Sequence, residues 1–186
     1  MALSAQLDAG NVHPVDMGSE VHLRLGLSFP VLMAAYCIWK SEGNFPLIFY
    51  KNPEQTLWEW IEWNYQPTVE PVGCYVGERM VGIGWINQAH KVDDQVVAEI
   101  GVAFYKGTAL SIWHKALDLL LRHAFIDRGF HVIYGLSDRR NQEARMMAEW
   151  CGMKETDQLT WAQKIEDNEV VRELTYSAWR CHRDIV

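Results

Sequence analysis

The sequence contains no apolar run approaching the roughly 20 residues a helix needs to cross a bilayer, which excludes a membrane-spanning helix. Its start, MALSAQLDAGNVHP, lacks a basic segment followed by an apolar one, so no secretory signal is expected. There is no excess of basic charge. A net charge of −7 argues against a general nucleic-acid binder, which carries a basic patch. Cysteine is scarce: Cys37, Cys74, Cys151 and Cys181 lie far apart and form no CxxC pair. Two of them fall on apolar faces of predicted helices, so they read as buried free thiols of a reducing compartment. No GxSxG, Walker loop or zinc spacing occurs, which removes the common nucleophile, nucleotide and metal motifs. His114 and His123 do not share a metal-binding helix face and read as solvated or capped. Together these absences predict a soluble cytoplasmic protein, in a bacterium, an infected cell or a virion.

What is present supports one folded unit. The chain has 186 residues, 49% apolar and 22% charged, which is enough to bury a sizeable core. No repeat, low-complexity tract or linker divides it, so a single domain over residues 1–186 is expected. Residues 1–20, punctuated by Gly, Asp and Pro, read as an irregular lead-in. Val21–Leu27 alternates as an edge strand, and Phe29–Trp39 reads as a helix opening beside Pro30. Gly43–Pro53 is expected to be a loop whose large apolar residues pack on something. The segment PEQTLWEWIEWNY, opened by Pro53, predicts a helix with Trp58, Ile61 and Tyr65 on one face and Trp60 and Trp63 on others. Its tryptophans suit a helix packed on two sides, or else the wall of a pocket or protein interface along Trp58–Tyr65. Val72–Gln88 reads as a hairpin about Gly77-Glu78-Arg79, followed by a polar turn over Ala89–Gln95. Near the C-terminus, Met153–Thr160 and Val170–Arg180 read as strands around a charged turn, Lys164–Glu169.

The stretch from Val96 to Gly152 organises the rest. VVAEIGVAF is β-branched and apolar around one acid, Glu99, and predicts a largely buried strand. Leu110, Trp113, Leu117, Leu120, Leu121, Ala124 and Phe125 then recur at helical spacing, with Thr108 as N-cap and Gly129 as the left-handed stop. Phe130–Leu136 is again strand-like, and a shorter helix places Ala144, Met147, Ala148 and Cys151 on one face before Gly152. Strand, helix, strand with short connections predicts two adjacent parallel strands joined by a crossover.

This order of elements resembles the core of the GNAT N-acetyltransferase superfamily over roughly 85 residues, about Val72 to Leu159. Asn141, Ala144, Met147, Gly152 and Met153 fall where that family places Asn, Ala, an apolar residue, Gly and an apolar or aromatic residue. The resemblance implies an α/β fold, a mixed sheet with a central parallel strand pair and flanking helices. It also implies acetyl-coenzyme A as cofactor and an amine, on a small molecule or a protein, as acceptor. On this reading Glu99 is the base and the backbone of Val102, Ala103 and Phe104 holds the cofactor's arm. Thr108, Ser111, Arg139 or Arg140, and Asn141 lie where its phosphates and arm would bind. Asp138, Arg139 and Arg140 are also read as capping and solvating the short helix.

The sequence departs from the family pattern at two places. The glycines of the phosphate-binding turn are replaced by Ser111 and Trp113, which predicts weak binding of coenzyme A and a largely buried Trp113. The tyrosine used as general acid is replaced by Ala148, leaving Tyr134 and Ser137 as substitutes. Two functions are therefore expected: an N-acyltransferase, or an inactive scaffold of the same fold within a larger assembly.

Overall fold

The computed structural model of the protein describes residues 20–49, 52–139, 141–166 and 169–182, with side chains as far as Thr156 except that of Leu47. Most of the expected lead-in (residues 1–19), Arg140, residues 167–168 of the expected C-terminal turn and the side chain of Cys181 lie outside the described residues. The elements run β1 (Val21–Leu25), α1 (Phe29–Glu42), α2 (Phe45–Ile48), α3 (Leu57–Asn64), β2 (Val69–Val76), β3 (Arg79–Val92) and β4 (Gln95–Phe104). They continue with α4 (Leu110–Arg122), β5 (Val132–Asp138), α5 (Gln142–Trp150), β6 (Lys154–Glu166) and β7 (Glu169–His182). Among the described residues no helix is long and apolar enough to cross a membrane.

The strands form one seven-stranded sheet in the order β1-β2-β3-β4-β5-β7-β6. Among the described residues only β4 and β5 pair in parallel, with α4 crossing over between them as the strand–helix–strand pattern predicts. Helices α1 to α3 cover one face, where Leu32, Trp39, Trp60 and Ile61 meet Ile83, Trp85 and Ala103 of β3 and β4. On the other face Leu117, Leu120, Leu121 and Met147 of α4 and α5 meet Ala98, Ile100 and Ile133. The parallel pairing is short. It covers Val97↔Val132, Ala98↔Ile133 and Glu99↔Tyr134, and there the two strands part. Beyond that point β5 stays with β7 through Asp138, while β4 runs on to Phe104 beside β3 alone.

Several boundaries differ from the sequence reading for local reasons. The expected loop after Gly43 contains the single turn α2, started by Pro46 and held by Phe45 and Phe49 against Tyr36 and Trp39. α3 begins at Leu57 rather than Pro53, because Thr56 and Glu59 form a reciprocal capping box: Thr56 Oγ1 accepts from Glu59 N at 3.3 Å and Glu59 Oε2 from Thr56 N at 2.7 Å. Its buried face is Trp60, Ile61 and Asn64, so Trp58 and Tyr65 stand outside, at 65% and 55% exposure. The expected polar turn over Ala89–Gln95 is mostly strand, with a tight reversal at Asp93, whose φ of 51° an aspartate tolerates. α4 is capped by Ala109, and Thr108 instead donates its hydroxyl to Val81 O at 3.4 Å. α5 is capped by Asn141, whose Oδ1 accepts from Ala144 N at 3.0 Å, in place of residues 138–140.

After Arg122 the helix widens into a π turn, His123–Asp127, before Gly129 stops it with φ 72°. His123 is buried there rather than solvated. Its Nε2 lies 3.0 Å from Glu70 Oε1 and its Nδ1 2.8 Å from Asp127 Oδ2, while Arg128 Nε reaches Glu70 Oε2 at 2.9 Å. This cluster ties the end of α4 to β2.

The described cysteines are unbridged, but not all are buried as expected: Cys37 is exposed on α1, Cys74 buried and Cys151 half-buried. Burial pushes the Cys74 thiol up to about 12, so it stays protonated and unreactive at pH 8. Iodoacetamide at pH 8 is therefore expected to label Cys37 in the native protein and Cys74 only after denaturation. Equal native labelling at both, read by peptide mass, contradicts that burial.

Candidate active site

Where β4 and β5 part, the sheet has a gap, and a cavity lies on each side of it. Toward α4 and α5 a cavity of about 190 Å³ is lined by Val102, Phe104, Trp113, Leu117, Met147 and Ala148. Toward α1–α3 a cavity of about 300 Å³ is lined by Phe49, Trp63, Trp85, Asn87, Glu99 and Asp138. Gly101, Ser137 and Asn141 line both, so the two meet at the gap.

Strand alternation decides which residue faces which cavity. Ala98 and Ile100 pack toward α4, so Glu99 and Gly101 turn toward the aromatic side. Glu99 is only 8% exposed. It pairs with Asn87 across the antiparallel β3–β4 ladder and with Tyr134 across the parallel one. Asn87, Glu99 and Tyr134 thus form a polar row across three strands, with side chains of direct neighbours about 4.5–5.5 Å apart at Cβ. Asn87 is also 8% exposed, and its Oδ1 has no hydrogen-bond partner among the described residues. Tyr134 donates to Gln88 Oε1 at 3.3 Å. Burial first, and the Glu99 carboxylate second, raise its pKa, so it remains a protonated phenol at neutral pH.

The tryptophans of α3 divide between core and cavity. Trp60 is fully buried beside Trp39, while Trp63 lines the larger cavity with Trp85, their rings 5.8 Å apart. Trp85 cannot swing freely. Its Nε1 donates to Asn64 Oδ1 at 2.8 Å, and Asn64 Nδ2 donates to Trp60 O at 2.8 Å. A buried asparagine on α3 therefore fixes an indole on β3.

Of the residues singled out from sequence, Val102, Ala103, Phe104 and Asn141 line the smaller cavity and Glu99 the larger. Tyr134 stands beside Glu99 but lines neither cavity, and neither do Thr108, Ser111 or Arg139. Ser111 is exposed at the start of α4. Trp113 is half-buried rather than largely buried, and its ring stacks on Phe104 at 5.1 Å and 12°. That stacking keeps the indole below the helix and off its first turn, whose leading N–H groups have no partner within any α-helix. From Ile100 to Phe104, β4 has no strand paired along its β5 side among the described residues. Sequence reading missed Asn87 and Trp85 as cavity residues, while Trp63 fits the pocket-wall alternative read for its helix. The signal for Asn87 was its place in the hairpin, opposite the one acid of the next strand.

Residues 33–154 match the model of the acetyltransferase (GNAT) domain. The fold is shared with a spermidine N-acetyltransferase from Vibrio cholerae solved with CoA and spermine, at 15% identity and a TM-score of 0.70, over 88% of this chain and 96% of that one. It is shared with Mycobacterium smegmatis RimJ in complex with CoA-disulfide, at 16% identity and 0.69, over 88% and 82%. A GNAT-family acetyltransferase from Bacillus anthracis matches at 17% identity and 0.66, over 89% and 97%. No curated protein sequence matches the chain.

Proposed function

We propose that this chain, which belongs to the GNAT acetyltransferase family, transfers an acyl group, acetyl above all, from acyl-coenzyme A to an amine. One observation carries the reading: the gap between β4 and β5 joins an apolar cavity below the head of α4 to a cavity holding Glu99. When bound, the thioester supplies an activated acyl carbon, so that a C–N bond forms, the C–S bond breaks and a thiol is released.

The chain's own residues suit that cofactor. The uncovered edge of β4 over Val102, Ala103 and Phe104 offers backbone groups to its amide-bearing arm, beside Asn141. The first turn of α4, with Thr108 and Ser111 around it, presents N–H groups to an anion, and Arg139, just past the end of β5, is assigned the balancing positive charge. Trp113 does not obstruct that turn, because Phe104 holds its ring below. Glu99 takes the proton that the amine nitrogen loses. With Ala148 in the family's tyrosine position, the Ser137 hydroxyl holds a proton where the cavities meet. Tyr134, outside both cavities, supports the row beside Glu99.

Calorimetric titration with acetyl-coenzyme A tests the reading. Saturable binding is expected within about 1 μM–1 mM, the span of typical substrate constants. No saturation at millimolar concentration, from a folded sample, overturns the transferase and leaves an inactive scaffold.

A further inference from the structure

We infer that the acceptor is a compact primary amine on an aromatic or similarly flat apolar body, bound as its ammonium between Asn87, Glu99 and the indoles of Trp63 and Trp85. The inference rests on reading the larger cavity as the acceptor side. Asn87 points to a ligand independently of Glu99. Its Oδ1 is a buried hydrogen-bond acceptor without a partner among the described residues, a costly state that a native fold keeps where something else completes the bond. An ammonium carries three N–H donors. Asn87 and Glu99 are paired across the β3–β4 ladder and line the same cavity, so one nitrogen lodged between them would bond to both.

The walls specify the rest of the molecule. Phe49, Trp63 and Trp85 line the cavity, with Phe49 and Trp85 centroids 5.6 Å apart. Such faces attract a cation and stack on a flat ring. Asn64 holds Trp85 in place, so the wall is preformed. The cavity's size sets what is refused. Glu99 and Asp138 are its charged residues among those described. An extended polyamine, whose several charges need carboxylates spaced along a longer groove, is disfavoured, because about 300 Å³ is the small end of ligand pockets. Glu99 then serves twice, holding the ammonium and taking its proton.

The test uses 2-phenylethylamine, 2-phenylethanol and spermidine, titrated without cofactor and followed by tryptophan fluorescence and calorimetry. The amine is expected to bind at least about tenfold tighter than either comparator. Asn87→Leu should weaken it about tenfold or more without lowering the melting temperature, since it removes an unpaired buried acceptor. Equal or tighter binding of spermidine, or of the alcohol, overturns the inference on the wild-type protein alone. So does an unchanged dissociation constant in a folded Asn87→Leu variant. Turnover with acetyl-coenzyme A separates the two readings. Acetylation of spermidine but not 2-phenylethylamine sinks this acceptor and keeps the transferase. Tight amine binding with no cofactor binding sinks the transferase and keeps the amine site.

Discussion

Glu99→Gln is expected to lower turnover by about 10²-fold or more at neutral pH, the range for losing a positioned base. The substitution is nearly isosteric, so the packing of β4 between β3 and β5 should persist. What changes is chemistry: a carboxamide cannot accept the proton that the amine gives up. The loss should shrink as pH rises, because the amine then reaches its neutral, nucleophilic form unaided. A purely structural Glu99 predicts a different pattern, with lower stability and a parallel pH profile. Turnover of both proteins across pH, with a melting curve for each, distinguishes them. Unchanged turnover in the variant would show that the carboxylate in the cavity is not the base.

Those parts of the architecture that depend on long periodic segments were legible in the sequence. The seven apolar positions from Leu110 to Phe125 could only be one face of a helix, and the strands on either side had to be parallel neighbours once that helix crossed over. Family resemblance added the short helix, which Asn141 and Gly152 delimit, whereas the gap beside it came only from the structure. What sequence could not give was set by contacts between distant residues. The helix at Leu57–Asn64 was read with Trp58, Ile61 and Tyr65 sharing a face, and of these three the fold buries Ile61 alone. Spacing groups those three, yet the fold buries Trp60 and Asn64 with Ile61, and Trp85 brings Asn64 a buried donor. Polar residues are seldom counted as core, so Asn64 and Asn87 were invisible to a pattern of apolar positions. Trp113 was expected largely buried beneath its helix; it is half-buried, its ring stacked on Phe104 nine positions earlier on β4.

Gly101→Val is expected to leave the fold intact while lowering acyl transfer on the order of 10²-fold, the cost of displacing reacting groups by about 1 Å. Gly101 lies opposite Trp85 in the β3–β4 pairing and lines both cavities. A Cβ built there meets only Trp85 Cε3, at 3.7 Å, which is ordinary contact, and the backbone is not in the left-handed region that favours glycine. Glycine within a strand costs about 0.5–1 kcal/mol relative to alanine, and β-branched residues suit strands, so stability should hold or rise by up to about 1 kcal/mol. The added methyl groups have somewhere to go only because the neighbouring space is the gap itself. Each ligand should therefore still bind on its own side, with the acyl carbon and the amine kept apart. Gly101→Ala, one methyl smaller, should fall between wild type and valine. Urea denaturation, separate titrations with acetyl-coenzyme A and amine, and steady-state transfer together read this out. Full turnover in the valine variant places the meeting point elsewhere. A loss of more than about 2 kcal/mol, outside the range of a tolerated strand substitution, makes Gly101 a structural glycine instead.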